Sequence, residues 1–325
     1  MRYYLGADVG SSKTALMVAD EDGNVLGYGI AGPGNHETVG YDGFYQALNE
    51  AAQVALKQAG IPIHAIAGAG YGISGYDWPA QKPPLEGAIA KLDCQAPAEL
   101  VNDAILGLVA GAEAGWGVAV VSGTGCNCWG WDRDHHIGRV TGFGGLLGEG
   151  AGSTELVYRA MQLVAQAWTQ RGRPTQLTVI LVDYTKASDV EDLLAGYTSG
   201  RIRVDGSAAP LIFTAAEAGD DVAQGLVHWA GCELGELANA VIRQLGIHDQ
   251  GFDVVLVGGM FESGPILVEP MRATIQSYAP RARLVRLSVP PVVGAVLLGM
   301  QAGKVTLTQD IRQNLAAGAH KYLNK

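Results

Sequence analysis

Apolar positions come in short blocks separated by glycine and polar residues, and the period of the blocks changes along the chain. Tyr3 to Val9, Thr14 to Ala19 and Val25 to Ala31 read as three strands, joined by a Gly10-Ser11-Ser12 turn and an Asp22-Gly23 turn. Asp-Gly between alternating apolar runs is a strong hairpin signal. Over 42–59 the period lengthens: Phe44, Leu48, Ala51, Ala55 and Ala59 share a helical face, and Gly60 stands behind them as a stop. Strands over 64–74 and 98–103, with helices over 85–91 and 104–112, follow.

At Val118 the layout restarts. VAVVSGTGCNCWGW (118–131) gives strand, Gly/Ser/Thr turn and strand, followed by a polar turn at Asp132-Arg133-Asp134 and a strand over 137–141. Helices are expected over 152–170 and 220–245, a buried strand over 252–260, a helix over 265–278, a strand over 282–288, and helices over 291–302 and 307–318. Residues 175–187 look strand-like in composition, yet Leu177, Ile180, Leu181 and Tyr184 fall at i, i+3, i+4, i+7, which predicts a helix. Two hairpin-led α/β units in tandem imply a two-lobed α/β protein with its ligands in an interlobe cleft. The lobes are expected at 1–113 and 114–302, with the terminal helix of 303–325 returning to the first.

Composition narrows the class. The chain has 325 residues, 48% of them hydrophobic, enough for two domains. A net charge of −10 with thinly spread Lys and Arg argues against nucleic-acid and anionic-membrane partners. The sequence has no run of about 18 apolar residues and opens directly on a strand pattern, so neither a membrane span nor a signal peptide is expected. Cys94, Cys126, Cys128 and Cys232 contain no Cys-x-x-Cys pair and read as reduced, cytoplasmic thiols. His135 and His136 lie in a polar turn without evident ligand neighbours.

Four segments carry candidate chemistry. In Asp8-Val9-Gly10-Ser11-Ser12-Lys13-Thr14, a turn offers backbone N–H groups with hydroxyl and ammonium donors, a concave anion site, and Asp8 can hold hydrated Mg²⁺. An ordinary hairpin turn accounts for it equally well. Ser122-Gly123-Thr124-Gly125 repeats the recipe one unit later, so two turns could clamp one polyphosphate. In Val101-Asn102-Asp103-Ala104 a carboxylate stands where a strand gives way to a helix: by position a helix cap, by chemistry a general base. Gly258-Gly259 after a buried strand, with Ser263 beyond, lets a flat nucleoside approach the backbone; the bland alternative is a tight βα turn.

Together DVGSSKT (8–14), GNHE (34–37), GISGYD (72–77), VNDA (101–104), VSGTGCNC (121–128), GFGGLLGEGAG (142–152) and LVGGMFESG (256–264) resemble, in order, the N-acetylglucosamine kinase branch of the actin, hexokinase and heat-shock chaperone superfamily. That branch shares its ATPase core with activators of benzoyl-CoA reductase and related dehydratases. The resemblance implies an actin-like, ribonuclease H-like duplication using ATP and Mg²⁺. Asp103 would activate the sugar hydroxyl, expected to be the 6-hydroxyl. Ser12, Lys13, Thr124 and Gly125, with their neighbours Gly10, Ser11, Thr14, Ser122 and Gly123, would carry phosphates, and Asp8 the metal through water. Gly258, Gly259 and Ser263 would flank adenosine. Asn35, His36, Ser74, Gly75, Asn127, Cys128, Phe143, Gly144, Gly145 and Glu149 would line the sugar. A homodimer is the default for such enzymes.

Departures from the family pattern bear on the sugar. Phe143 replaces a Trp, Glu149 an Asp, and Glu37 an aromatic residue after Gly-Asn-His. A carboxylate at Glu37 or Glu149 beside an ammonium would favour a free amine. Two other readings fit the resemblance: an ATPase activator of a CoA-dependent dehydratase or reductase, and a sugar-binding relative with impaired catalysis.

Overall fold

The computed structural model describes residues 1–323. In chain order the strands and helices begin β1 (Tyr3–Val9), β2 (Thr14–Asp20), β3 (Val25–Ala31), α1 (His36–Ala59), β4 (Ile66–Ile73), α2 (Lys82–Ala90), β5 (Ala98–Asn102) and α3 (Asp103–Gly111). There follow β6 (Gly117–Ser122), β7 (Cys126–Trp131), β8 (Ile137–Val140), α4 (Ser153–Trp168), α5 (Leu177–Thr185), α6 (Val190–Thr198), α7 (Ala209–Glu217) and α8 (Asp221–Leu245). The chain ends in β9 (Asp253–Val257), α9 (Pro265–Tyr278), β10 (Arg283–Arg286), α10 (Val292–Ala302) and α11 (Gln309–Leu323). The ambiguous segment at 175–187 is helical, as its period predicts. Helices α6 and α7 have no counterpart in the sequence reading.

The first sheet has the order β3-β2-β1-β4-β5 and the second β8-β7-β6-β9-β10. Each strand of the second therefore takes the place of one in the first, as a duplication requires. In the first sheet β1 runs antiparallel to β2 and parallel to β4. By its internal contacts the chain divides into Met1–Ala119 with Val285–Lys325, and Val120–Leu284. The divisions fall inside β6 and β10, not at 113 and 302, and α10 goes with the first unit. The reason is packing: a Cβ on Gly6 of β1 would lie 2.2 Å from the backbone nitrogen of Val296, so α10 rides directly on the first sheet.

Alternation along β1 sets the faces. Leu5, Ala7 and Val9 are buried in a core with Phe44, Leu48, Ala51 and Ala55 of α1. Gly27 and Gly29 of β3 let α1 approach so closely that a Cβ on either would lie 2.0 Å from a helix carbonyl. The opposite face carries Gly6 and, at the strand's last turn outward, Asp8. A left-handed Gly40 (φ 69°) breaks α1 after one turn, which separates the Asn35-His36-Glu37 segment from the long amphipathic part.

Candidate active site

In the first unit the turn after β1 closes through the Gly10 N–H, which donates to the Lys13 carbonyl at 2.9 Å. Ser11, Ser12 and Lys13 are exposed on it. Thr14 departs from the expected role: its side chain is fully buried in β2, and its hydroxyl has no hydrogen-bond partner. An ideal Cβ on Gly34 would come within 2.6 Å of that hydroxyl, so the oxygen faces the protein interior.

Segments distant in sequence meet beside this turn. The Asn35 side-chain amide donates to the Ser11 hydroxyl at 3.0 Å and to the Ser74 hydroxyl at 3.4 Å. Its oxygen accepts from the Glu37 N–H at 2.9 Å, capping α1. Both amide hydrogens are thus committed, which makes Asn35 a brace for the site more than a free donor. Gly75 follows Ser74 with φ 80°. His36 is buried, stacks on Tyr41 at 5.2 Å between ring centroids, and leaves both ring nitrogens without partners. Burial holds its pKa below the usual value, against the pull of Glu37.

Asp103 opens α3, but the cap is its neighbour: the Asn102 side chain accepts from the Ala104 N–H at 3.0 Å. Asn102 is itself fixed by donating to Asp77 at 3.1 Å and to the Tyr76 carbonyl at 3.2 Å. The capping need that would explain Asp103 on structural grounds is already met. Burial raises the Asp103 carboxyl to about 6, opposed by the N–H groups of Ala104 and of Asp103 itself and by the Ser74 hydroxyl. Burial, and then the neighbouring Asp103 charge, push Asp8 up to about 7 despite the nearby Lys13 ammonium. Two buried carboxylates with raised proton affinities, one of them raised further by the other's charge, are a common mark of functional chemistry.

The second unit holds the other predicted residues, with two corrections. Ser122 is fully buried and donates to the Ala151 carbonyl at 2.7 Å, so it builds the turn and does not face a ligand. Cys128 is fully buried within β7, and its thiol pKa stands well above the usual value because of that burial. Period-two alternation puts Cys126 on the same face, where it accepts from the Ala151 N–H at 3.2 Å. All four cysteines are free. Thr124 and Gly125 are exposed at the turn, and Asn127, on the opposite face of β7, has a buried side-chain oxygen with no partner.

The segment over 142–150 is shaped by its glycines and two carboxylates. Gly142, Gly144 and Gly148 have positive φ, and Glu149 accepts from the Phe143 N–H. The Phe143 ring is exposed and the carboxylate of Glu155 fills the space beside Gly145. On the β7–β8 turn, Asp132, Asp134 and His136 do come together, their ligand atoms within 4.8 Å of one another. That corrects the expectation of no such neighbours for His136, although Asp132 already pairs with the His136 ring at 2.8 Å.

A cavity of about 460 Å³ opens between the start of α4, α7 and the turn after β9. Gly123, Gly259 and Ser263 line it, and Gly206, Pro210 and Phe213 add a wall that was missed. The signal was present, since Ala209, Ile212, Phe213 and Ala216 are buried at i, i+3, i+4, i+7 behind Pro210 in the first turn. Gly258 makes the turn possible: it has φ 111°, and a Cβ there would lie 2.2 Å from the Ser122 carbonyl. Ser263 turns its hydroxyl to the Met260 carbonyl at 2.7 Å.

The family model described as BadF/BadG/BcrA/BcrD ATPase family matches residues 5–299. An N-acetyl-D-glucosamine kinase of Dictyostelium discoideum is 27% identical over 314 residues, covering 93% of this chain and 98% of that protein. An N-acetylmuramic acid/N-acetylglucosamine kinase of Clostridium acetobutylicum is 25% identical over 300 residues, covering 92% and 98%. Among solved structures, one from Chromobacterium violaceum described as a candidate N-acetylglucosamine kinase is 26% identical, with a TM-score of 0.64 over 92% of this chain and 99% of that one.

Proposed function

The chain belongs to the BadF/BadG/BcrA/BcrD ATPase family, and from that membership we propose that it is an ATP-dependent kinase phosphorylating a hydroxyl of an amino sugar such as N-acetylglucosamine or glucosamine. The observation that carries the reading is Asp103. It stands at the start of a helix already capped by Asn102, hydrogen-bonded to Ser74, with its carboxyl raised to about 6. A base with a pKa just below working pH is ionised and still basic enough to accept a hydroxyl proton.

In the proposed reaction Asp103 takes the proton of the sugar hydroxyl as that oxygen bonds to the γ-phosphorus. The bond from phosphorus to the β,γ-bridging oxygen breaks, and ADP leaves. Phosphoryl transfer asks mainly for positioning and charge neutralisation. Ser11, Ser12 and Lys13 on the first turn, and Thr124 and Gly125 on the second, are exposed donors suited to phosphates. The cavity bounded by Gly259, Phe213 and Ser263 has the size expected of a nucleoside site. Asp8 fits Mg²⁺: two neighbouring carboxylates with one lysine against them favour a divalent cation, held by Asp8 through water. When bound, Mg²⁺ would supply neutralising charge for the phosphates. The unpartnered polar atoms of His36 and Asn127 are consistent with a polar substrate.

Cytoplasmic residence is part of the same proposal, supported by four free thiols. Among the described residues no helix is long and apolar enough to cross a membrane. Cys126 and Cys128 are buried, which disfavours an activator that would hold a shared iron–sulfur cluster through exposed cysteines. A coupled ADP-release screen over amino sugars and hexoses tests the reading. Sugar-dependent ADP release that vanishes in Asp103→Asn is the expected result, and ADP release indifferent to every sugar would overturn it.

A further inference from the structure

The structure separates the two acidic departures from the family pattern. Glu149 spends its carboxylate on the Phe143 N–H inside its own loop. Glu37 is held differently. Gln81 accepts at its side-chain oxygen from the N–H groups of Asp77 and Trp78, both at 2.8 Å, so its amide nitrogen is turned to Glu37 Oε1 at 3.3 Å. The other carboxylate oxygen of Glu37 lies 3.0 Å from the position a Cβ would take on Gly75, next to the Asn35 oxygen at 2.9 Å. Gly75 adjoins Ser74, which bonds both Asn35 and Asp103.

Glu37 is therefore an exposed carboxylate aimed by a neutral amide and standing one residue from the Ser74 contact of Asp103. Among the described residues it forms no ion pair with a lysine, arginine or histidine. Burial of the adjacent His36 disfavours the charged form of that ring, against the pull of Glu37. A fixed, uncompensated anion at the edge of an acceptor site rewards a cation there and penalises an anion.

We propose that Glu37 selects an acceptor carrying a free, protonated amine, so that a 2-amino sugar is preferred over its N-acetyl derivative and over sugars bearing a carboxylate. The inference rests on the sugar-kinase reading and names the substrate class of that site. Binding an ammonium by a charge-assisted hydrogen bond is worth on the order of tenfold or more in affinity. The carboxylate of a muramyl-type sugar would meet the same charge with the opposite sign.

Steady-state kinetics at pH 7 with glucosamine, N-acetylglucosamine, N-acetylmuramic acid and glucose, for wild type, Glu37→Gln and Glu37→Asp, provides the test. Calorimetric titration of the same sugars gives affinities independent of turnover. Expected is a preference of about tenfold for glucosamine over N-acetylglucosamine in wild type. Glu37→Gln should cut the glucosamine-to-glucose ratio about tenfold, mostly through KM, and Glu37→Asp should restore part of it. A wild type that prefers the N-acetyl sugar, or a Gln variant that lowers all sugars alike, overturns the proposal and leaves the kinase reading intact. If no sugar is phosphorylated, the kinase reading fails, and the calorimetric ratio alone still decides the role of Glu37.

Discussion

Replacing Asp103 with asparagine should make the protein more stable and nearly inactive, and the structure sets the size and pH range of both effects. Burial moves this carboxyl from 3.8 to about 6 in the folded chain. A displacement of that size corresponds to roughly 3 kcal/mol of preference for the neutral form. A raised carboxyl pKa gives the folded state an advantage that is complete below about pH 4 and lost as pH rises through about 6. At pH 8 Asp103 is ionised in both states, but only in the native protein is its charge desolvated by burial. Asparagine keeps the shape and an acceptor for the Ala104 N–H but removes the charge, and it relieves Asp8 of a like neighbour. Urea unfolding should show Asp103→Asn more stable by about 1–3 kcal/mol at pH 8, the lower end allowing for solvent reaching a half-buried group, with the gain gone at pH 4. Turnover should fall by roughly 10²–10⁴-fold, as loss of a general base requires. For the wild type, kcat/KM should decline below about pH 6 with a slope of one. A variant no more stable than wild type at pH 8, or one that keeps a tenth of the activity, would refute the reasoning.

Neighbouring glycines should behave in opposite ways. Gly258→Ala forces a side chain into a left-handed backbone and onto the Ser122 carbonyl, and should lower stability by about 2 kcal/mol or more in thermal unfolding. Gly259→Leu meets open space, so stability should hold within about 1 kcal/mol while the filled cavity raises the KM for ATP at least about tenfold. Thr14→Val removes a buried hydroxyl that has no partner; stability should be unchanged or rise by about 1 kcal/mol, with the ATP KM unaltered, and a large rise in that KM would restore Thr14 as a phosphate donor. Arg312 of α11 donates to the Val109 carbonyl at 2.8 Å near the end of α3, so Arg312→Met should cost about 1–3 kcal/mol in urea unfolding.

The strands β1, β2 and β3 were legible almost to the residue because period-two blocks end there in Gly-Ser or Asp-Gly, whose backbone preferences act locally. The helix α5 was legible despite its strand-like composition, since spacing reports the buried face and composition does not. What failed was the direction of single side chains at strand ends. Thr14, Ser122 and Cys128 all sit in motifs that face a ligand in outline, yet each points into the protein, and nothing in the local sequence distinguishes the two faces of a strand buried on both. The pairing of Glu37 with Gln81 was also invisible, for a different reason: it spans 44 positions and depends on where β4 delivers its following turn. Asp103 shows a third case. Asparagine and aspartate are both good caps, so the sequence left the pair Asn102-Asp103 open, and it is the Ala104 bond to an Asn102 held in place by Asp77 and Tyr76 that assigns the cap to Asn102.

The two glycine turns follow one recipe in sequence and do different physical work. The turn of the first unit closes on itself through Gly10 and Lys13, and its side-chain donors remain exposed. In the second unit the carbonyls of Gly123 and Thr124 accept from the N–H groups of Ser153 and Thr154 at 2.8 and 3.1 Å. These are the first two residues of α4, a helix with no side-chain cap, so the turn supplies what a capping residue would otherwise provide. Gly152 permits the approach, since a Cβ there would come within 2.5 Å of Gly125. The Gly123 N–H closes the turn on the Gly125 carbonyl at 2.9 Å, so with Ser122 turned inward the donors left to the second turn are the N–H groups of Thr124 and Gly125 and the Thr124 hydroxyl. A turn that binds phosphate must present donors and hide acceptors, and fastening its carbonyls to a helix start accomplishes both with one contact.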